Sequence, residues 1–305
     1  MADAQLGWSD AQWELVNKAV SEAFTKASVA GAFLPCYGPL SGSVENVREQ
    51  TLDLPTPPRT TLRIIDDRTV KLFNLTVKVE LSSEQVADEG LSSALLALRR
   101  AANNLAQAED DIVFNGFGQD RVDVRGILPN VPAQNISGVE VPSHPDTLSG
   151  LVNMDNAAQI VQSTARLAQA RTQLPARNRP TDGDQVVAEV AQAVVDLETA
   201  FHPGPFACVL GAKVFVAVHT PAAGLVLPAD RITPILNGPL LRSGRMAPDQ
   251  GIVVSLAGSD IDIVVATPPI AQFLQMTGDA TYLFRVYEKF VLRIKDKTAV
   301  RGLGI

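Results

Sequence analysis

Three histidines are the first candidates for acid–base or metal chemistry, because an imidazole changes charge near neutral pH and binds transition metals. His144, His202 and His219 each lie within two residues of a proline, in segments that we predict to be loops. A general base or a metal ligand is one interpretation of such a residue. A loop histidine exposed to solvent or lining a pore is the other, and we favour it for all three.

Two acidic groups in the sequence could also bind metal or transfer protons. Asp66-Asp67 is typical of a turn. Glu109-Asp110-Asp111 falls at the end of a predicted helix, where the helix dipole disfavours negative charge. Carboxylates at such a position usually have a partner. We therefore expect an ion pair or a subunit contact here, rather than catalysis or a metal site.

The sequence carries none of the short motifs for covalent or phosphate chemistry, namely HExxH, GxSxG, Walker A or GxGxxG. Gly116-Phe117-Gly118 follows a predicted helix and lacks a third glycine, so it does not indicate a nucleotide site. Cys36 and Cys208 are far apart and form no CxxC pair, which predicts reduced, buried small side chains. We predict that the chain is not an enzyme and binds no metal.

The overall composition excludes several classes of protein. The chain has 305 residues, 46% of them hydrophobic and 5% aromatic, which indicates a folded protein with aliphatic cores. A net charge of −7 argues against nucleic acid as the main partner. Residues 1–10 lack a signal-peptide pattern, and no apolar run approaches the ~20 residues that span a bilayer. We expect a cytoplasmic protein with no membrane partner.

Helical periodicity of apolar residues predicts the helices. The longest begins near Leu91 and extends to Phe114. Ser9 and Gln12 form a capping-box pattern at the start of another. The predicted helices span residues 9–30, 91–114, 155–173, 184–200 and 213–218.

Extended segments make up the rest of the predicted structure. Strict alternation over Leu75–Leu81 predicts a half-buried strand, with a bulge near Phe73-Asn74. Residues 59–65 and 70–81, joined at Asp66-Asp67, are predicted to form a long β-arm, and the prolines at 55, 57 and 58 exclude a helix at its start.

Two further extended segments are predicted toward the C-terminus. Residues 251–257 and 260–267 should form a hairpin across Gly258-Ser259. A last strand of about 14 residues over 282–295 is long for a strand. The apolar faces of the arm and of this last strand suggest surfaces completed by other copies of the chain.

Five segments in order carry a resemblance to a known family. The strongest is Ala102–Gly116, which contains Glu109-Asp110 and Phe114 and is followed by Gly126-Ile127. The others are 6–38, 75–81, 204–210 and 282–293. Together they resemble the encapsulin family, also called linocin-type bacteriocins, whose subunits have the fold of the tailed-phage major capsid protein.

The resemblance implies an α+β chain with the Hong Kong 97-type phage capsid fold, comprising a peripheral domain, an axial domain and an extended loop. It assigns residues 1–47 to an interior helix and the start of the peripheral domain, 48–74 to the extended loop, and 75–127 to the peripheral domain with its long helix. Residues 128–180 would be an insertion, 181–265 the axial domain, and 266–305 a long strand returning to the peripheral domain.

The resemblance also implies a function, a non-catalytic shell subunit that encloses cargo. An icosahedral shell of 60 copies or a multiple would enclose a cargo enzyme such as a ferritin-like protein or a peroxidase. A C-terminal peptide of the cargo would dock on the interior helix. The expected docking residues are Trp13, Val16, Val20, Phe24 and Phe33. The expected five-fold pore loop comprises His219, Thr220, Pro221, Ala222, Ala223, Gly224 and Leu225.

Two alternatives and one departure accompany this resemblance. A phage or prophage major capsid protein of the same fold is the first alternative, and a hydrolase is the second. Some relatives bind flavin through a tryptophan just after the strand that corresponds to 75–81, but Glu84 stands there in this chain. We therefore expect no flavin and no other cofactor.

Overall fold

The computed structural model of the protein describes residues 6–55, 61–117, 139–140, 148–152, 182–221, 226–278 and 280–304. Its helices are α1 Asp10–Ala27, α2 Ser83–Ala87, α3 Ser92–Asn115, α4 Asp182–Thr199, α5 Ala212–Val218 and α6 Pro228–Leu236. Its strands are β1 Cys36–Tyr37, β2 Asn46–Arg48, β3 Thr51–Asp53, β4 Arg63–Ile65, β5 Thr69–Lys71, β6 Phe73–Ser82, β7 Val139–Glu140, β8 Phe206–Leu210, β9 Leu240–Arg242, β10 Gln250–Ser255, β11 Ile261–Met276, β12 Thr281–Ile294 and β13 Val300–Gly304.

The capping box predicted for α1 is present. Gln12 N–H donates to the Ser9 hydroxyl at 3.3 Å, and Ser9 N–H donates to the Gln12 side-chain oxygen at 2.9 Å. Two N–H groups that the first helical turn leaves without a partner are satisfied in this way. The helix ends at Ala27, because Ser28 is extended, and a 3₁₀ turn follows at Ala30–Ala32.

The long helix α3 forms as predicted, and its C-terminal half is almost wholly buried. It ends at Gly116, which has φ 74°. A Cβ atom at Gly116 would lie 2.3 Å from the carbonyl oxygen of Leu148, so the close approach of these two segments requires glycine. The predicted helices over 184–200 and 213–218 also form, as α4 and α5. The helix predicted over 155–173 lies outside the described residues.

A five-stranded sheet of order β1-β11-β12-β6-β7 lies beneath α1 and α3. Its central strand β12 has the predicted length of 14 residues. The expectation that other copies complete its apolar face is wrong, since β12 pairs along both edges, with β11 and with β6. Phe284, Val286 and Phe290 on that face are buried in the core of their own chain. The expected break in alternation occurs at Leu72 and Phe73, which are both buried.

A second sheet has four strands in the order β13-β10-β8-β9 and is covered by α4, α5 and α6. The predicted hairpin across Gly258-Ser259 is therefore wrong. β10 pairs with β8 and β13, whereas β11 belongs to the five-stranded sheet. Residues 256–260 carry the chain from one sheet to the other, and 295–299 carry it back. Neither α6 nor β13 was predicted from the sequence.

The predicted arm is a narrow antiparallel ribbon. β2 pairs with β5, and further out β3 pairs with β4. The chain reverses between β3 and β4, so Asp66-Asp67 does not connect the two sides of the arm. These two residues separate β4 from β5 on the same side of the ribbon, with a bend at Asp67. The ribbon is fixed to the end of β12 and the residue after it, where Arg293 donates to the Gln50 side-chain oxygen at 2.8 Å and Leu52 N–H donates to the Lys295 carbonyl at 2.7 Å.

Candidate docking and assembly surfaces

Three of the predicted docking residues lie in the core of their own subunit. Val16 and Val20 have no exposed surface, and Phe33 retains only 8%. The Phe33 ring stacks on Phe114 of α3, with ring centroids 6.4 Å apart. These side chains fix α1 against α3 and the sheet, so none of the three presents a free apolar surface in this structure.

The other two predicted docking residues, Trp13 and Phe24, are half-buried. Trp13 contacts Trp8 edge-on at 5.1 Å between centroids, and Trp8 in turn stacks on Phe284 at 5.0 Å. The Trp8 indole N–H donates to the carbonyl of Val86 at 3.0 Å. Trp8 was not singled out from the sequence, although a tryptophan directly before a helix cap is well placed to anchor the start of that helix.

A groove between α1 and α3 is a candidate binding site that the sequence did not reveal. It encloses about 680 Å³. Both helices contribute residues spaced by four, the spacing that places side chains on one face of a helix. The lining residues are Ala19, Glu22, Ala23, Lys26 and Ala27 of α1, and Arg99, Arg100, Asn103 and Gln107 of α3. Only the pairing of the two helices brings these residues together.

The predicted pore loop is described in part. His219, Thr220 and Pro221 are exposed, whereas Ala222, Ala223, Gly224 and Leu225 lie outside the described residues. The His219 ring stacks on Phe215 at 4.1 Å, and its Nδ1 lies 2.9 Å from the Phe215 carbonyl oxygen. Thr220 donates its hydroxyl to the Val216 carbonyl at 2.8 Å. The first part of the loop is thus fixed to the end of α5, and the prediction of an exposed loop histidine at 219 is confirmed.

The acidic group at the end of α3 is buried and has its partners in the same chain. Asp110 accepts hydrogen bonds from the backbone N–H groups of Val29 and Ala30 at 3.0 and 2.8 Å. Glu109 accepts one from the Ser28 hydroxyl at 3.0 Å. The carboxylates thus join the end of α1 to α3. Of the two expected kinds of partner, a contact between subunits is wrong for these buried carboxylates, whereas the positive charge of Arg245 does act on Asp110 within the chain.

Burial dominates the titration of this group. Desolvation, followed by the neighbouring charge of Asp110, raises the pKa of Glu109 to about 8. The pKa of Asp110 is raised to about 6 by desolvation, against the opposing effect of the N–H donors. Glu288 of β12 is also fully buried, and desolvation raises its pKa well above the ordinary range. One Glu288 carboxyl oxygen, Oε1, has no hydrogen-bond partner among the described residues.

The loop histidine at 202 is buried, so the prediction of an exposed or pore-lining residue is wrong here. Its Nε2 lies 2.8 Å from the Thr298 hydroxyl and 3.5 Å from Asp296, and its Nδ1 lies 3.3 Å from Asp260. Asp260 ends one of the connections between the two sheets, and Asp296 lies in the other. His202 therefore links the two connections between the sheets. His144 lies outside the described residues.

The two cysteines differ from each other. Cys208 is buried in β8, as predicted, and burial raises the pKa of its thiol. Cys36 is exposed in β1, contrary to the prediction. The described residues contain no group of three metal-binding side chains, and no helix among them is long and apolar enough to cross a membrane.

Comparison with known proteins gives the family. The profile of the linocin M18 family, described as encapsulating protein for peroxidase, matches residues 3–158 and 165–291. The type 1 encapsulin shell protein EncA of Myxococcus xanthus is 22% identical over 303 residues, which cover 95% of this chain and 91% of that protein.

Solved structures give the fold. The virus-like particle from Pyrococcus furiosus matches with a TM-score of 0.57 at 16% identity, over 96% of this chain and 99% of its own. The capsid of Myoviridae phage XM1 matches with a TM-score of 0.51 at 15% identity, over 88% and 89%. The SrpI encapsulin complex of Synechococcus elongatus matches with a TM-score of 0.50 at 11% identity, over 89% and 84%. The predicted Hong Kong 97-type capsid fold is confirmed.

Proposed function

Because the chain belongs to the linocin family of encapsulin shell proteins, we propose that it is a structural subunit that assembles with copies of itself into a closed icosahedral shell around a cargo enzyme. The family match over almost the whole chain carries this proposal. The shell would contain 60 copies or a multiple, lie in the cytoplasm, and have no catalytic activity of its own.

The arm supports the assembly part of the proposal. Leu62 and Ile64 are 65% and 63% exposed, and Leu54 nearby is 43% exposed. Large apolar side chains on a narrow ribbon have too little of their own chain to cover them, and burial against a second copy would gain roughly 25 cal/mol for each Å² removed from water. We assign the arm as a contact between neighbouring subunits.

The docking part of the proposal is revised by the geometry of α1. Val16, Val20 and Phe33 are buried where α1 packs against α3 and the sheet, whereas Trp13 and Phe24 remain partly accessible. A C-terminal peptide of a ferritin-like protein or a peroxidase would bind along α1, over these two side chains and into the groove beside α3. Many copies of a weak contact in one shell would retain the cargo by multivalency.

The loop from His219 to Leu225 keeps its proposed place at a five-fold pore.

A phage or prophage capsid protein is the second candidate, because the XM1 capsid shares the fold. The Myxococcus xanthus relative favours the encapsulin assignment, since it matches over 95% of this chain.

The test is purification of the chain alone, followed by a sizing column and negative-stain imaging. We expect hollow particles of megadalton mass that form without other phage proteins. A monodisperse monomer or dimer at near-neutral pH would overturn the shell assignment. Co-expression with candidate cargo enzymes, with and without their last residues, tests the docking. Cargo enclosed equally well without its C-terminal residues would contradict docking by a terminal peptide.

A further inference from the structure

His202 lies where the two connections between the sheets run side by side. The backbone N–H groups of Lys295 and Asp296 donate to the Asp260 carbonyl at 2.7 and 3.2 Å, so the two connections are hydrogen-bonded to each other. His202 comes from a third segment, since its own N–H donates to the Leu197 carbonyl of α4 at 2.9 Å. The buried ring thus contacts both connections from the helix that covers the four-stranded sheet.

The hydrogen bonds around the ring require a proton on both of its nitrogens. The Thr298 hydroxyl donates to Asp296 Oδ1 at 2.5 Å, because a carboxylate can only accept. The same hydroxyl oxygen lies 2.8 Å from His202 Nε2. Since its own proton is directed to Asp296, this oxygen accepts from an Nε2–H group. Nδ1 lies 3.3 Å from Asp260 Oδ2, and that contact is attractive only if Nδ1 also carries a proton. The ring is therefore an imidazolium.

Asp260 and Asp296 make the charge on the ring decisive for this arrangement. They lie on different connections, and their oxygens are 3.3 and 3.5 Å from the two ring nitrogens. With the imidazolium present, one positive charge lies between two carboxylates. When the ring loses a proton, one nitrogen presents a lone pair instead of an N–H group, and the two carboxylates lose the cation between them.

The other charged groups of the adjoining segments have different partners. Lys295 pairs with Asp262 at 2.8 Å, and Arg301 donates to the Thr298 carbonyl at 3.1 Å. The remaining charged side chains of the last turn of α4 and of the second connection are exposed or bonded elsewhere, namely Glu198, Lys297 and Asp196. The positive charge between Asp260 and Asp296 is therefore supplied by His202.

We propose that His202 is a proton-operated latch, which holds α4 to the two connections between the sheets while the ring is charged and releases them when the ring is neutral. An imidazole changes charge near neutral pH, so the latch responds in that range. The inference goes beyond the proposed shell function and does not depend on it, because the groups named all lie in one chain.

The same side chains also have the order of a catalytic triad, with a hydroxyl, an imidazole and a carboxylate in contact. Their hydrogen bonds argue against that role. Nε2 carries a proton and cannot take one from Thr298, whose hydroxyl donates to Asp296 instead. The Thr298 N–H, which could bind an oxyanion, also donates to Asp296, at 2.8 Å. The arrangement links segments and does not activate a nucleophile.

The test is hydrogen exchange of the full chain from about pH 6 to about pH 8, with each rate compared with that of an unstructured chain at the same pH. The reporters are the N–H groups of Lys295 and Asp296, which lose their hydrogen bonds to Asp260 when the latch opens. Opening releases a proton, so the closed form is favoured at low pH and is lost as the pH rises. We expect the protection of these amides to fall roughly tenfold over this range.

His202→Gln is the decisive variant, because its amide can still donate to Thr298 but cannot change charge. We expect the protection of the reporter amides in this variant to be the same at both ends of the pH range. Asp260→Asn keeps the imidazole and removes one carboxylate, so we expect a smaller fall than in the parent. His219→Gln is the matched control, since it removes an exposed histidine and should show the parent's fall.

Three results would overturn the latch. The first is constant protection of the reporter amides across the pH range in the parent. The second is the same fall in the parent and in the His202 variant, which would assign the effect to other groups such as the buried carboxylates of α3 and β12. The third is an equal fall at amides in the middle of α3, which would mark unfolding of the whole subunit. If the His202 variant does not fold, the Asp260 variant decides, and a fall equal to the parent's would contradict the proposal.

Discussion

At the scale of single residues, the buried carboxylates are the most unusual feature of the molecule. Glu109, Asp110 and Glu288 influence each other's titration in the interior, where a charged carboxyl is costly unless it is paired or hydrogen-bonded. The acidic group at the end of α3 is evident in the sequence, but nothing there indicates that Glu288 approaches it, since Glu288 is far away in the chain. The packing of α3 on β12 places them in one core.

These groups predict how stability depends on pH. In the unfolded chain glutamates lose their protons at about pH 4.3. In the folded protein Glu109 retains its proton until about pH 8, and the pKa of Glu288 is raised well above the usual value for a glutamate. The folded state therefore binds more protons, and stability falls as the pH rises from about 4.3 toward 8. We expect the Tm to decrease steadily from about pH 6 to about pH 9 in a thermal unfolding series.

Glu288→Gln provides the check on this pH dependence. The amide keeps the shape of the side chain and carries no charge, so we expect the variant to be more stable than the parent at about pH 9 and to show a shallower slope. A gain of about 1 kcal/mol would raise the Tm by roughly 2–4 °C in a chain of this size. Glu84→Gln, at an exposed position, is the matched control. Identical slopes for the parent and the Glu288 variant would contradict the assignment.

At the scale of elements, local sequence was a good guide to helices and a poor guide to strand partners. The capping box of Ser9 and Gln12 and the apolar spacing of α3 are local features, and the structure reproduces both. β10 and β11 match the local sequence pattern of a hairpin, yet the two strands pair in different sheets. Alternation specifies a strand and the face it buries, but it does not specify the neighbouring strand.

The His202 contacts predict a second measurable effect at this scale. His202 links Asp260 and Asp296, which lie on the two connections between the sheets. Replacement by alanine leaves two carboxylates and the Thr298 hydroxyl without that partner. We expect His202→Ala to lower the free energy of unfolding by about 1–3 kcal/mol and to increase proteolysis at 256–260 and 295–299.

Urea denaturation and limited proteolysis measure these two effects. His219→Ala is the matched control, because that ring is exposed and its removal should cost within about 0.5 kcal/mol. Equal stability of the His202 and His219 variants would show that the His202 contacts contribute nothing to the free energy of unfolding.

At the scale of the whole molecule, the arm is the feature that one subunit alone does not explain. Changing Leu62 and Ile64 to Asp removes apolar surface that is exposed in the single chain, so the folded subunit should be little affected. We expect the unassembled subunit of the double variant to have the same Tm as the unassembled parent subunit. We also expect the double variant to form no megadalton particles. Circular dichroism and a sizing column measure the two properties.

Val195→Asp is the control for the arm variant, because Val195 is also an exposed apolar residue, 52% accessible, but lies on α4. Particles of normal size from the arm variant would show that the arm is dispensable for assembly. Loss of particles from the Val195 variant as well would show that any added charge disrupts the shell, and would remove the special role of the arm.

The sequence by itself determined α1, α3, α4 and α5, the burial pattern of β6 and β12, the presence of an arm and, through resemblance, the family and its fold. These depend on residues close together in the chain, or on motifs kept in order along it. Tertiary structure alone decided which strands pair, that Val16, Val20 and Phe33 face their own core, that His202 is buried, and that an alanine row meets an arginine-bearing wall. Each of these is a contact between distant segments, and its free energy depends on neighbours that local periodicity does not identify.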